Sequence, residues 1–91
     1  MTQQITINGF EIEYKDGGAN KAGVSRWTKA GKDRLYFGDK FVDLANFDGE
    51  AELAREFTNP YGWDTKRVVR DGKKVGVRHE YRGSFVQVVK L

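Results

Sequence analysis

Apolar and polar residues alternate along the N-terminal stretch, where Ile5, Ile7, Phe10, Ile12 and Tyr14 fall on one side of a two-residue repeat once Asn8-Gly9 is read as a turn. A two-residue type I′ turn selects this dipeptide because both central residues take positive φ. The pattern predicts a hairpin with Ile7 opposite Phe10 and Ile5 opposite Ile12, leaving Glu11 and Glu13 to water. Lys15 to Gly23 holds three glycines and no period, and reads as a loop.

Residues 24–37 predict a second hairpin that reverses at or around Ala30-Gly31. Two-residue closure sets Trp27 across from Arg34 and Ser25 across from Tyr36. One face then carries Ser25, Trp27, Lys29, Lys32, Arg34 and Tyr36, and the other carries Val24, Leu35 and Phe37. A further turn at Gly38-Asp39 would bring Leu35 opposite Val42 and Arg34 opposite Asp43.

One segment has helical character. Asp48 can cap Asp48 to Thr58, Glu50 and Glu52 fall in the first turns where the helix dipole favours anions, and Phe47, Ala51, Leu53, Ala54 and Phe57 form an apolar stripe. Asn59-Pro60 ends it. The loop NPYGW follows, in which Tyr61 and Trp63 are either exposed recognition aromatics or a seal between helix and sheet. Three strand-like runs complete the chain, with turns at Asp71-Gly72 and near Arg82-Gly83. The sum is a single α+β domain, residues 1–91, with six or seven short strands in three hairpins, a largely antiparallel sheet and one amphipathic helix. A small barrel plugged by the helix is the nearest variant.

Composition narrows what such a domain can do. Without cysteine there is no disulfide frame and no thiolate metal site, so the fold rests on apolar packing and backbone pairing. No charged start leads into an apolar stretch and no apolar run approaches the length of a membrane span, so a cytoplasmic protein is expected. The net charge is +3, but its distribution says more than its sum. Residues 21–40 set six lysines and arginines against Asp33 and Asp39, a net +4, and residues 66–82 set seven against Asp71 and Glu80, a net +5. Between them, residues 41–58 carry five acids against Arg55, a net −4.

Candidates for catalysis are few. The single histidine, His79, lies in the run Val75, Val77, His79, Tyr81, whose parity suits a half-buried structural position. Ser25 and Ser84 have no base nearby in sequence. Asp43, Asp48, Glu50 and Glu52 match no calcium-loop spacing and suit a solvated helix face. Gly31-Lys32 ends like a phosphate-binding loop, yet Asp33 replaces the magnesium-binding hydroxyl and Arg26 replaces the first glycine, which excludes that motif. No enzyme, metal or other cofactor is expected.

Binding is better supplied. Lysines and arginines interleaved with aromatics meet two demands of nucleic acid together, since cations displace counterions from phosphates and flat rings stack on unpaired bases. The expected centre is Trp27, Arg34 and Tyr36, with Lys29 and Lys32 beside them and Arg67, Lys74 and Arg78 contributed by the second basic block. Those three, together with Arg82, alternate with valines and should share a face opposite Val68, Val75 and Val77. The competing reading is a cross-strand cation–π pair of Trp27 and Arg34 that only stabilises the hairpin. A second function class is a small protein-binding module or inhibitor, of the kind carried by phages and mobile elements, docking through Glu50, Glu52 and Glu56 or through a sheet edge. The nucleic-acid partner could be DNA or RNA.

Overall fold

A computed structural model of the 91-residue chain describes residues 2–17, 23–37, 40–55 and 62–91. The described residues form eight strands and one helix in the order β1 (Thr2–Ile7), β2 (Phe10–Lys15), β3 (Val24–Trp27), β4 (Arg34–Phe37), β5 (Lys40–Asp43), α1 (Gly49–Arg55), β6 (Asp64–Arg70), β7 (Lys73–Tyr81) and β8 (Ser84–Lys90). The strands form two antiparallel sheets rather than one or a barrel: a five-stranded sheet in the order β1-β2-β8-β7-β6 and a three-stranded sheet in the order β3-β4-β5. The α+β class expected from the sequence is therefore observed, with the pairing divided between two layers.

The hairpins are set by their turns. Asn8 and Gly9 have φ of 52° and 82°, and Ala30-Gly31, Asp71-Gly72 and Arg82-Gly83 repeat the same left-handed pair. That geometry matches the twist of the flanking strands, so each turn fixes the register of the hairpin it closes. Ile5 pairs with Ile12 and Ile7 with Phe10, as the alternation requires.

Two-residue parity then fills the interior. Ile12, Val77, Val86 and Val88 of the large sheet meet Val24, Leu35, Phe37 and Val42 of the small one, joined by Phe10, Leu44, Phe47 and Trp63. Phe37 crosses the interface, stacking on His79 with centroids 5.8 Å apart and meeting Trp63 edge-on at the same separation. Trp63 also stacks on Tyr81 at 6.0 Å, so in this loop the indole seals the core, whereas Tyr61 lies outside the described residues. His79 is fully buried, deeper than the half-buried position expected, and its Nδ1 pairs with Thr65 Oγ1 at 3.0 Å.

The helix starts where the capping residue predicts. Asp48 Oδ1 accepts from the Ala51 backbone N–H at 3.3 Å, and Glu50 and Glu52 occupy the first turn. It packs on β7 and β8. Asn8 Nδ2 donates to the Phe47 carbonyl, and the Phe10 and Phe47 rings meet edge to face at 5.6 Å, which ties the entry of the helix to the first turn. The predicted end of the helix, including Glu56 and Phe57, and the turn at Gly38-Asp39 lie outside the described residues. Among the described residues no helix is long and apolar enough to cross a membrane.

Candidate nucleic-acid interface

The small sheet owes its two unlike faces to its register. Trp27 pairs with Arg34 and Ser25 with Tyr36 across β3 and β4, while Arg34 pairs with Asp43 and Tyr36 with Phe41 across β4 and β5. Val24, Leu35, Phe37 and Val42 alternate with these positions and are buried. The opposite face therefore presents Ser25, Trp27, Arg34, Tyr36, Phe41 and Asp43 away from the core.

Three aromatic rings line up across this outer face. Trp27 is 52% exposed and Phe41 48%, with the half-buried Tyr36 between them. Ring centroids are 6.3 Å apart for Trp27 and Tyr36 and 5.4 Å for Tyr36 and Phe41. The Arg34 guanidinium lies 4.4 Å from the Phe41 centroid, and Lys29 Nζ lies 5.9 Å from that of Trp27. Arg34 Nη1 donates to Tyr36 Oη at 3.4 Å, whereas its Nε is buried with no hydrogen-bond partner among the described residues. Ser25, Trp27 and Tyr36 line a shallow depression.

The hairpin tip adds charge. The Lys32 N–H donates to the Lys29 carbonyl at 3.1 Å, which closes the turn and leaves both lysines exposed. Asp33, the nearest acid in sequence, is held by Arg26 through Nε at 3.0 Å and Nη2 at 2.7 Å. This two-pronged bond pulls the Asp33 carboxyl below its ordinary pKa and raises that of Arg26. Pairing within the hairpin thus neutralises Asp33, and Lys29, Lys32 and Arg34 set the sign of the outer face. Asp43 lies at the margin, its Oδ1 accepting from the Ala45 N–H at 3.1 Å.

The second basic block does not join this surface, which corrects the expectation that Arg67, Lys74 and Arg78 share one face. Arg67 pairs with Val77 and so lies on the core side of the edge strand β6, while Arg78 pairs with Lys66 on the outer side of the large sheet. A bulge between Val68 and Val69 shifts the register and pairs Lys74 with Val69. The shift turns Lys74 to the side where the helix packs, and its Nζ donates to the Leu53 carbonyl at 2.9 Å. Arg78 is engaged by Glu80 and Gln87, each at 2.9 Å, and covers the Phe85 ring at 4.0 Å. Arg82 lies beside the Tyr81 ring at 5.4 Å. Because the two sheets pack their inner faces together, the outer face bearing Arg78 points away from the one bearing Trp27.

The acidic residues of the helix are divided as well. Glu50 is largely exposed and bonds Lys90 Nζ at 3.2 Å, and Glu52 is half-buried. Among the described residues no three His, Asp or Glu side chains gather as metal ligands.

Phe41 is the functional candidate that sequence reasoning missed. The pairing that sets Leu35 opposite Val42 also sets Tyr36 opposite Phe41, so the signal lay in the register. No family model matches the chain, and neither does any curated protein or solved structure.

Proposed function

We propose that this chain is a non-enzymatic domain that binds single-stranded nucleic acid on the outer face of β3, β4 and β5. One observation carries the reading: two half-exposed rings and a third between them share a sheet face with a guanidinium and an ammonium at cation–π distance. Bases stack on Trp27, Tyr36 and Phe41, and Lys29, Lys32 and Arg34 meet the phosphates. Centroid spacings of 5.4 and 6.3 Å exceed the roughly 3.4 Å rise between stacked bases of a duplex strand, so the face suits bases that are already unstacked. Stacking and phosphate contact tolerate any base, so little sequence preference is expected.

The test is a titration of labelled single-stranded and duplex oligonucleotides by fluorescence anisotropy. Loss of one stacking ring costs about 1–3 kcal/mol, so Trp27→Ala should weaken single-strand binding by roughly 5- to 150-fold. With three cations in contact, the single-strand salt slope of about −0.7 per phosphate predicts an affinity loss of about 20-fold from 50 to 200 mM salt. Arg78→Gln, on the other side of the molecule, should leave binding unchanged. Absence of binding at low salt would end the proposal.

The exposure of Glu50 keeps a second reading open, a protein partner docking on α1 through Glu50 and Glu52. That reading predicts a stoichiometric complex weakened by charge reversal at Glu52 and indifferent to Trp27→Ala.

A further inference from the structure

The two edges of the large sheet are unlike. At one end, β6 carries Lys66, Arg67 and Arg70, charges of the kind by which natural sheets prevent edge pairing. At the other end, β1 reads TQQITI. It is six residues long, without charge, proline or bulge, and no described strand pairs with its outer side. An edge of this kind is a template for another strand.

Backbone parity identifies which strand fits. In a hairpin closed by two residues, the pair flanking the turn exchanges both backbone bonds, so Ile7, Ile5 and Gln3 direct their N–H and C=O toward β2. Thr2, Gln4 and Thr6 therefore aim theirs outward. A second copy of the same strand, antiparallel, meets these groups in the register Thr2 to Thr6, Gln4 to Gln4 and Thr6 to Thr2. All three outward residues are satisfied in both copies, with two bonds per pair. No like charges come into opposition, whereas β6 paired with itself about its centre would set Arg67 against Arg67. On the inner side, Ile5 would lie against Gln3 of the partner copy, adding cover to a side chain that is half-buried.

We infer that β1 is a homodimerisation edge, joining two chains into one continuous ten-stranded antiparallel sheet about a two-fold axis at Gln4. The axis runs perpendicular to the sheet. Both small sheets then lie on the same side, and the protected β6 edges close the assembly at two copies. Dimerisation does not depend on the nucleic-acid reading, but it would place two aromatic faces side by side.

Sedimentation equilibrium on the full chain, from about 10 μM to about 1 mM, covers the affinity expected of a short edge pairing. The predicted species has twice the 10.4 kDa chain mass. Gln4 is exposed, so Gln4→Lys should fold normally while setting two ammonium groups together at the axis, and should weaken association about fivefold or more. Hydrogen exchange on the unaltered chain gives an independent readout: the Thr2, Gln4 and Thr6 amides should gain protection as concentration rises. A chain that stays at 10.4 kDa throughout overturns the inference, as does association that leaves those three amides unprotected.

Discussion

Phe37 and Phe41 are the same residue type, four positions apart on adjacent strands of one small sheet, and truncating each to alanine separates its two faces energetically. Phe37 is 2% exposed, stacked on His79 and edge-on to Trp63, so the alanine leaves a cavity where the sheets meet. Removing a ring from such a site costs about 3–5 kcal/mol. Phe41 is 48% exposed and its outer side already meets water, so solvent occupies the vacated volume. Its loss forfeits the contact with Tyr36 and the cation–π contact with Arg34, together about 1–2 kcal/mol. For 91 residues the unfolding entropy near the midpoint is about 0.19 kcal/mol per kelvin. Phe37→Ala should therefore lower Tm by about 15–25 °C and Phe41→Ala by about 5–10 °C. Thermal unfolding followed by far-ultraviolet circular dichroism measures both. A Phe41 variant that loses as much as the Phe37 variant would refute the face assignment on which the binding surface stands. A Phe37 variant that fails to fold would still agree with it.

Other outcomes follow from the same packing. A methyl group on Gly76 would run into the backbone carbonyl of Val88, so Gly76→Ala should destabilise by about 2 kcal/mol or more, read as a shift of the urea midpoint. The Glu80 carboxyl is held below its ordinary pKa by its bond to Lys66 and then by that to Arg78. A depressed folded pKa means stability that is present above the unfolded value, near pH 4.3, and is lost as pH falls through the folded one. The chain should thus outlast its Glu80→Gln variant in urea at pH 7, and the difference should vanish toward pH 2. In the oligonucleotide titration, Phe41→Ala should weaken single-strand binding alongside Trp27→Ala, whereas Arg67→Gln should not.

What the sequence made legible is what short-range chemistry decides. Asn8-Gly9, Ala30-Gly31, Asp71-Gly72 and Arg82-Gly83 all turn where those dipeptides stand, because positive φ is a local demand. The register across Trp27 and Arg34 follows from the turn at Ala30-Gly31, and with it the sides to which the indole and the guanidinium point. The division into two sheets was not legible, because it depends on Phe37 meeting His79 across forty-two positions of chain. Nor was the bulge at Val68 and Val69, which turned Lys74 toward the helix. Arg67 and Arg78 read as one basic stripe only while each strand is taken alone. Paired, Arg67 faces with Val77 and Arg78 with Lys66, and the stripe divides between two sides.

Trp27 is half-exposed on the outer face while Trp63 is buried against Phe37 and Tyr81, so the emission of the two indoles is separable. The most direct test of the binding claim is the fluorescence of Trp27, recorded in a Trp63→Phe variant whose folding has been verified, during titration with a single-stranded oligonucleotide at low salt. Stacking of a base on the indole predicts saturable quenching that is reversed by added salt and much weaker with duplex. Emission that stays unchanged while the oligonucleotide is bound, or an absence of binding altogether, would contradict the account.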